Sequence, residues 1–535
     1  MPSITKKKLG YNNAKLWRNA VYNSGNTDPV LYIFVGNHVP YANEASPDSI
    51  TDTISTEKQV WDNIYAAKKV TANDVELVVP KITWTANSKY RNYDDTIDAD
   101  TLLSSNSAQS LKPMYVITTA RNVYKCMSNN SSANSTVEPS GDYTTSNGNI
   151  STGDGFVWKY MYNVKPSNKF LTTAWIPAPT STSALDYGVN SSGVVDGELT
   201  TIVVTNSGVN YRQASNIRVD AFTSGQTSLK LSNTSLTLSV FSIPTLSNLS
   251  NLSISGTGIP SDTYISSISN TTGIITLSAA TSALGGNANN ITISTRVYIS
   301  GDGVGAVASA TLSNTSSGAS AAQANISKIL VSTIGSEYTR ANAFIYGSGS
   351  GAQTRVILPP KFGHSFNPAK ELSANNVMVS VRIGEIDSTE QGLISVDTSF
   401  RQIGLLRDPY KYGSTVVANT ATANSVISQT TDLDVVAGSS FSLNEYVYQG
   451  SVSNPNAYGF INAQTTNGVR LTKVKGTFVT GLPLIGSTSG SSRTVTATTQ
   501  PEFQPYTGDI LYTENITKLD RADGQAENIK LVVSF

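Results

Sequence analysis

The sequence predicts a mainly β, multi-domain fold: a β-sandwich or barrel scaffold with a few short helices in its N-terminal part. Three observations lead there. Apolar side chains recur at alternate positions in many short segments, Gly and Asn punctuate those segments, and only 14% of residues are charged. Phe156, Trp158, Tyr160, Tyr162 and Val164 share one face only if the chain is extended. The same spacing links Val377, Val379, Val381 and Ile383, and again Ile529, Leu531, Val533 and Phe535, which places the last residue in a core. Two N-terminal segments read as helices. The first carries Leu9, Leu16, Trp17, Ala20 and Val21 on one side and stops near Gly25; the second begins at a Thr56 to Gln59 capping box and buries Val60, Trp61, Ile64 and Tyr65.

A chain of 535 residues exceeds one core and divides where its composition changes. All five tryptophans lie before residue 180, and Ser, Thr, Asn and Gly dominate the middle of the chain beyond it. We expect residues 1–180 to be the N-terminal part of a discontinuous core, 181–375 an inserted all-β domain, 376–415 a return to the core, 416–504 a small barrel-like module, and 505–535 the closing core strands. Within the insert, IVVTNSGVNYRQASNI from Ile202 aligns with ILVSTIGSEYTRANAF from Ile329, an internal duplication of strand, Gly turn and tyrosine.

Lys plus Arg equals Asp plus Glu, 37 each, so no net field draws the chain to a polyanion, and neither nucleic acid nor membrane is an expected partner. Lys6, Lys7 and Lys8 read as a solvated end. The first residues carry no apolar signal core, and no run has the eighteen apolar residues of a membrane span. One cysteine and two histidines cannot make a Cys/His zinc site. Cys126 reads as a small core hydrophobe, and His38 and His364 as surface or hydrogen-bonded loop residues.

Catalytic signatures are missing: no Gly-x-Ser-x-Gly, no Gly-Lys-Ser/Thr and no His-Glu-x-x-His occurs. Asp94, Asp95, Asp98 and Asp100 form the densest acidic cluster, without the spacing of a calcium loop, and read as a solvated loop. Glu44, Glu57 and Asp154 stand in no recognisable glycosidase frame. The expectation is a non-enzyme with no cofactor, no metal and no catalytic residue.

Several motifs then agree in order with one known family. TGDGFVWKYMYNVKPS from Thr152, with VYKC at Val123 upstream, resembles the Gly-Asp-Gly-aromatic-Val-Trp strand of the dimeric baseplate wedge subunit of T-even-type contractile-tailed bacteriophages. LYIFVGNHVPYANE from Leu31, VELVVPKITW from Val75, WIPAP from Trp175, FRQIGLLRDPY from Phe400, TGDILYTENI from Thr507 and the final NIKLVVSF are similar to further stretches of that family. The resemblance covers about residues 1–180, 372–412 and 505–535, roughly half of the chain, and the two β-rich blocks depart from it as insertions.

This resemblance implies a structural virion protein of the tail baseplate, assembled in the host cytoplasm, that pairs with itself as a homodimer and joins other wedge proteins. Host-surface contact would fall to the inserts. The motif positions it marks as structural or interface residues are Gly36, Pro40, Trp61, Pro80, Trp84, Gly153, Asp154, Gly155, Trp158, Arg401, Gln402, Gly508, Glu514 and Asn515. Two rivals stand beside it: a receptor- or glycan-binding tail adhesin, suggested by the Ser/Thr/Asn/Gly-rich modules, and a tail-associated cell-wall hydrolase.

Overall fold

A computed structural model of the chain describes residues 7–22, 29–180, 193–211, 214–217, 219–231, 250–269, 271–282, 291–313, 324–384, 398–419, 426–520 and 525–535. It is mostly strand, with four α-helices among the described residues. The chain folds as two compact units, Met1–Val79 with Ala374–Phe535, and Pro80–Ser373. The discontinuous core is therefore shorter than expected: it leaves out residues 80–180, which fold with the insert.

In the first unit, five antiparallel strands run in the order Val426–Ser428, Ile64–Lys69, Leu31–Gly36, Ser399–Arg407, Asp509–Asp520. Tyr32, Phe34, Trp61, Leu406 and Phe503 fill the core beside them. A second sheet pairs Asn376–Gly384 with Val75–Pro80 on one side and with the terminal strand Ala526–Ser534 on the other. Ile529 and Leu531 are buried there, but Phe535 is 37% exposed, its ring 6.0 Å from Trp17, so the last residue is not core.

Two helix details also differ from expectation. The helix Lys7–Tyr22 buries Tyr11, Ala14 and Val21 while Leu9 and Leu16 face outward. The helix Ile54–Asn63 starts earlier than Thr56, because Thr53 caps it by accepting from the Thr56 amide. Its buried residues Val60 and Trp61 are as expected, with Ile64 and Tyr65 buried at the start of the next strand.

A closed six-stranded barrel occupies Thr431–Val435 to Ser492–Thr499, inside the 416–504 block. Leu433, Val447, Ile461, Leu471, Leu484 and Val495 fill it, as a barrel of this size requires.

The second unit opens with a four-stranded sheet, Tyr115–Ile117, Asn122–Ser128, Val157–Asn163, Asn149–Ser151. One of its faces packs Tyr90, Val116, Tyr124, Cys126, Phe156 and Trp158 together. Cys126 is a buried free thiol, and burial raises its pKa, which makes it a poor nucleophile. The fourth helix, Pro368–Glu371, also lies in this unit, beyond the N-terminal part to which helices were assigned.

The duplication is larger in space than the alignment of its first arm. Tyr211 and Tyr338 are both buried, and their hydroxyls accept from the amides of Ala352 and Ala306 at 3.3 and 3.4 Å. Tyr211 lies on Gly347 and Gly349, and Tyr338 on Gly301 and Gly303, so GDGVGA from Gly301 matches GSGSGA from Gly347. Each copy is thus a strand, a tyrosine corner and a hairpin, and the copies exchange hairpins. Thr201–Val209 pairs with Ser350–Ile357, Ile326–Ser336 pairs with Val304–Leu312, and Arg296–Gly301 meets Ala341–Tyr346.

Between Tyr211 and Arg296 sits a nested module with its own core of Val219, Leu229, Ile254, Ile265, Ile275 and Ile291. A Cβ at Gly303 would lie 2.5 Å from the Tyr338 ring, and one at Gly349 2.6 Å from the Tyr211 ring. Gly303→Ala and Gly349→Ala are therefore expected to destabilise the second unit alike, by about 1–3 kcal/mol each, read as a lower urea midpoint.

Candidate functional site

The strongest concentration of charge away from water lies on the second unit's four-stranded sheet. Tyr124, Cys126, Trp158 and Tyr160 face the aromatic core, so the lysines between them face the other way. Lys125 and Lys159 are directly opposite each other on adjacent strands, and both are fully buried. Like charges so placed repel and need compensation.

Compensation comes from two carboxylates later in the chain. Lys159 Nζ donates to Glu198 at 2.9 Å and to the carbonyls of Asn147 and Gly193 at 2.8 and 3.1 Å. Lys125 Nζ donates to Glu371 and to His364 Nδ1, the latter at 2.6 Å, and stands 4.8 Å from the centre of the Tyr93 ring. His364 meets the same ring edge-on at 4.9 Å.

Burial alone would raise Glu371, but the Lys125 ammonium and His364 hold it down at about 2. Burial, with the Lys125 charge adding to it, takes His364 down to about 3, so its ring is neutral and accepts at Nδ1. Burial raises Glu198, against the pull of Lys159. The paired side chains are 0% to 7% exposed, so solvent does not reach them. The arrangement is an electrostatic clamp tying the aromatic sheet to residues 198 and 371.

The expected motif positions are scattered over both units. Asp154 accepts from the amides of Thr136, Val137 and Phe156 and from the hydroxyls of Ser135 and Thr152. Burial opposes its ionisation, yet these donors lower its pKa. Gly155 has φ +84°, and a Cβ there would lie 2.7 Å from Asn130 Nδ2, while Gly153 is uncrowded. Trp158 is core, and Trp84 packs beside it with its ring nitrogen donating to Ser135. Pro80 is exposed, its carbonyl accepting from Tyr115.

In the first unit, Arg401 is buried and donates to both Glu44 oxygens, the His38 carbonyl and Ser399. Gln402 donates to Asn515, which donates to the Asp48 carbonyl. Glu514 is exposed and accepts from Tyr512. Gly36 touches the Asn63 carbonyl, Gly508 crowds the Arg407 carbonyl, Trp61 is core, and Pro40 is exposed.

Neither histidine lies at the surface. His38 is held between Asn444 and Thr472, and burial takes it down to about 4. The acidic cluster is divided between two structural tasks: Asp94 and Asp95 grip Arg355, and Asp98 caps Ala99–Leu103. Among the described residues no group of three or more His, Cys, Asp or Glu is arranged to hold a metal ion. Lys125, Lys159, Glu198 and Glu371 were missed by sequence reasoning. Their signal was a lysine interrupting each of two apolar strands, VYKCM and VWKYMY.

Removing one partner of a buried pair strands the other charge, at a cost of about 3–5 kcal/mol. Lys125→Met is expected to lose that much in the second unit, read as faster hydrogen exchange in Asn122–Ser128, and Lys125→Met with Glu371→Met to regain most of it.

Both histidines have folded pKa values below 6.5, so the stability they contribute is full above pH 6.5 and lost as pH falls through about 4 for His38 and about 3 for His364. Between pH 6.5 and those folded values each unit should lose about 1.4 kcal/mol per pH unit through its histidine. His38→Gln should flatten that slope in the first unit only, checked by urea unfolding at stepped pH. Compared with known proteins, the sequence matches no family model and no curated protein.

Proposed function

We propose that the chain is a structural subunit of a contractile phage tail baseplate wedge, acting as a homodimer that joins neighbouring wedge proteins during assembly and contraction. The ordered motifs support this reading, because their residues carry structural tasks: the Asp154 turn, the Arg401 clamp and the Gln402 to Asn515 bridge.

The observation that carries it is the strand Asp509–Asp520. It is twelve residues long, lies at the edge of its sheet, and has no ladder partner on its far side among the described residues. Leu511 and Tyr512 on it are 43% and 41% exposed. A long uncovered edge with apolar side chains invites pairing with another chain. Leu9 and Leu16 add apolar surface to the same unit, as Tyr298, Phe344 and Tyr346 do to the other.

The test is the mass of the purified chain, alone and mixed with the other wedge proteins. A dimer that enters a larger complex is expected, and a strict monomer that joins none would overturn the proposal. Leu16→Glu combined with Leu511→Glu should change stability by less than about 0.5 kcal/mol per site, as exposed positions do, while abolishing assembly.

A further inference from the structure

The second unit contains a cleft of about 880 Å³ whose walls are amides and hydroxyls. We propose that it binds a neutral oligosaccharide, an inference that does not rest on the wedge reading.

Charge narrows the ligand first. Lys328 is the one ionisable side chain among the lining residues, and no carboxylate, histidine or thiol is present. A cation has no counter-charge there, and a polyanion has a single one. What remains is an uncharged ligand that makes many hydrogen bonds.

The walls supply those bonds from fixed positions. Asn92, Asn129, Asn130, Asn147 and Asn149 all line the cleft. Asn92 donates to the Tyr93 carbonyl and Asn130 to that of Asp154, while Asn129 is held at both ends, donating to the Tyr90 carbonyl and accepting from the Ser132 amide. Asn149 donates towards Glu198, and its own amide oxygen is buried without a hydrogen-bond partner. Such an acceptor costs free energy unless a ligand group meets it. Pinned amides also cost a ligand little ordering entropy.

The floor has a different character. The strands Thr201–Val209 and Ile326–Ser336 are joined at their two ends, by the Leu199 amide to the Ile334 carbonyl at 2.8 Å and by Tyr211 with Ala324 at 2.9 and 3.2 Å. Between those ties no ladder connects them among the described residues. Val203 and Leu330 project from this stretch, Leu330 being 46% exposed, and Val157 lies on the facing sheet. An apolar strip rimmed by amides and hydroxyls matches a pyranose ring, which has an apolar face and an equatorial belt of hydroxyls.

The rim is built at a conformational cost. Asn130, Ser131, Ser146 and Asn147 all have φ between +45° and +58°. Serine has no intrinsic preference for that region, and such residues gather where geometry serves a ligand.

The experiment uses the full chain on a printed array of neutral, sialylated and sulfated oligosaccharides, followed by calorimetric titration of the strongest neutral binder. Binding confined to neutral members is expected. Leu330→Arg fills the floor from an exposed position; it should weaken binding at least tenfold while leaving the melting temperature unchanged. Loss of the array signal in Asn149→Leu would support the same site. No neutral binder on the array, preference for the charged members, or wild-type affinity in Leu330→Arg would each overturn the proposal. Assembly with wedge proteins is read separately by mass, so failure here leaves that reading untouched.

Discussion

Two buried lysines facing each other across adjacent strands are the constraint on which the second unit depends. Lys125 and Lys159 cannot share a dry sheet face unless anionic groups come to them, and no carboxylate of their own strands does so. Glu198 and Glu371 come from chain segments on either side of the duplicated domain. Once those two pairs form, residues 80–180 are bound to the segment that succeeds them in the chain. That is the physical reason the domain boundary falls at Val79 and not near residue 180. A compositional shift marks where amino-acid usage changes, whereas a unit is bounded by where its charges and apolar faces find partners.

The same distinction explains what was legible in the sequence. Strand periodicity was legible because alternate positions are fixed by the backbone: Phe156, Trp158 and Tyr162 are all buried. It misled at the ends. Phe535 follows the spacing of Ile529 and Leu531, yet it lies past the last pairing of its strand, Ser534 with Asn376, and its ring meets Trp17 while staying 37% exposed. On the first helix, Leu9 and Leu16 are the larger apolar residues, but smaller Ala14 faces the core, where close approach matters more than side-chain area. The buried network was the least legible feature, because a lysine in a strand normally marks a solvent face and only its distant partners show otherwise.

The duplication shows how insertion hides symmetry. Its strand and tyrosine corner are contiguous in both copies and align at an offset of 127 residues, from Ile202 to Ile329. The hairpins align at an offset of 46, from Gly301 to Gly347, so the difference of 81 residues is the nested module. Two offsets for one repeat look like unrelated matches until the tyrosines are seen lying on equivalent glycines.

The exchanged pairings meet that insertion differently. The strand Thr201–Val209 is held by Ser350–Ile357 from the other copy, not by the hairpin on the far side of the module. The first copy's own hairpin is held in turn by Ile326–Ser336 and by Ala341–Tyr346. Those two pairings lie wholly beyond the module, whereas that of Thr201–Val209 with Ser350–Ile357 spans it, and lengthening the connection adds only a slowly growing closure entropy. The module has an apolar core of its own, separate from that of the duplicated domain, so its packing does not draw on the side chains that hold the two copies together.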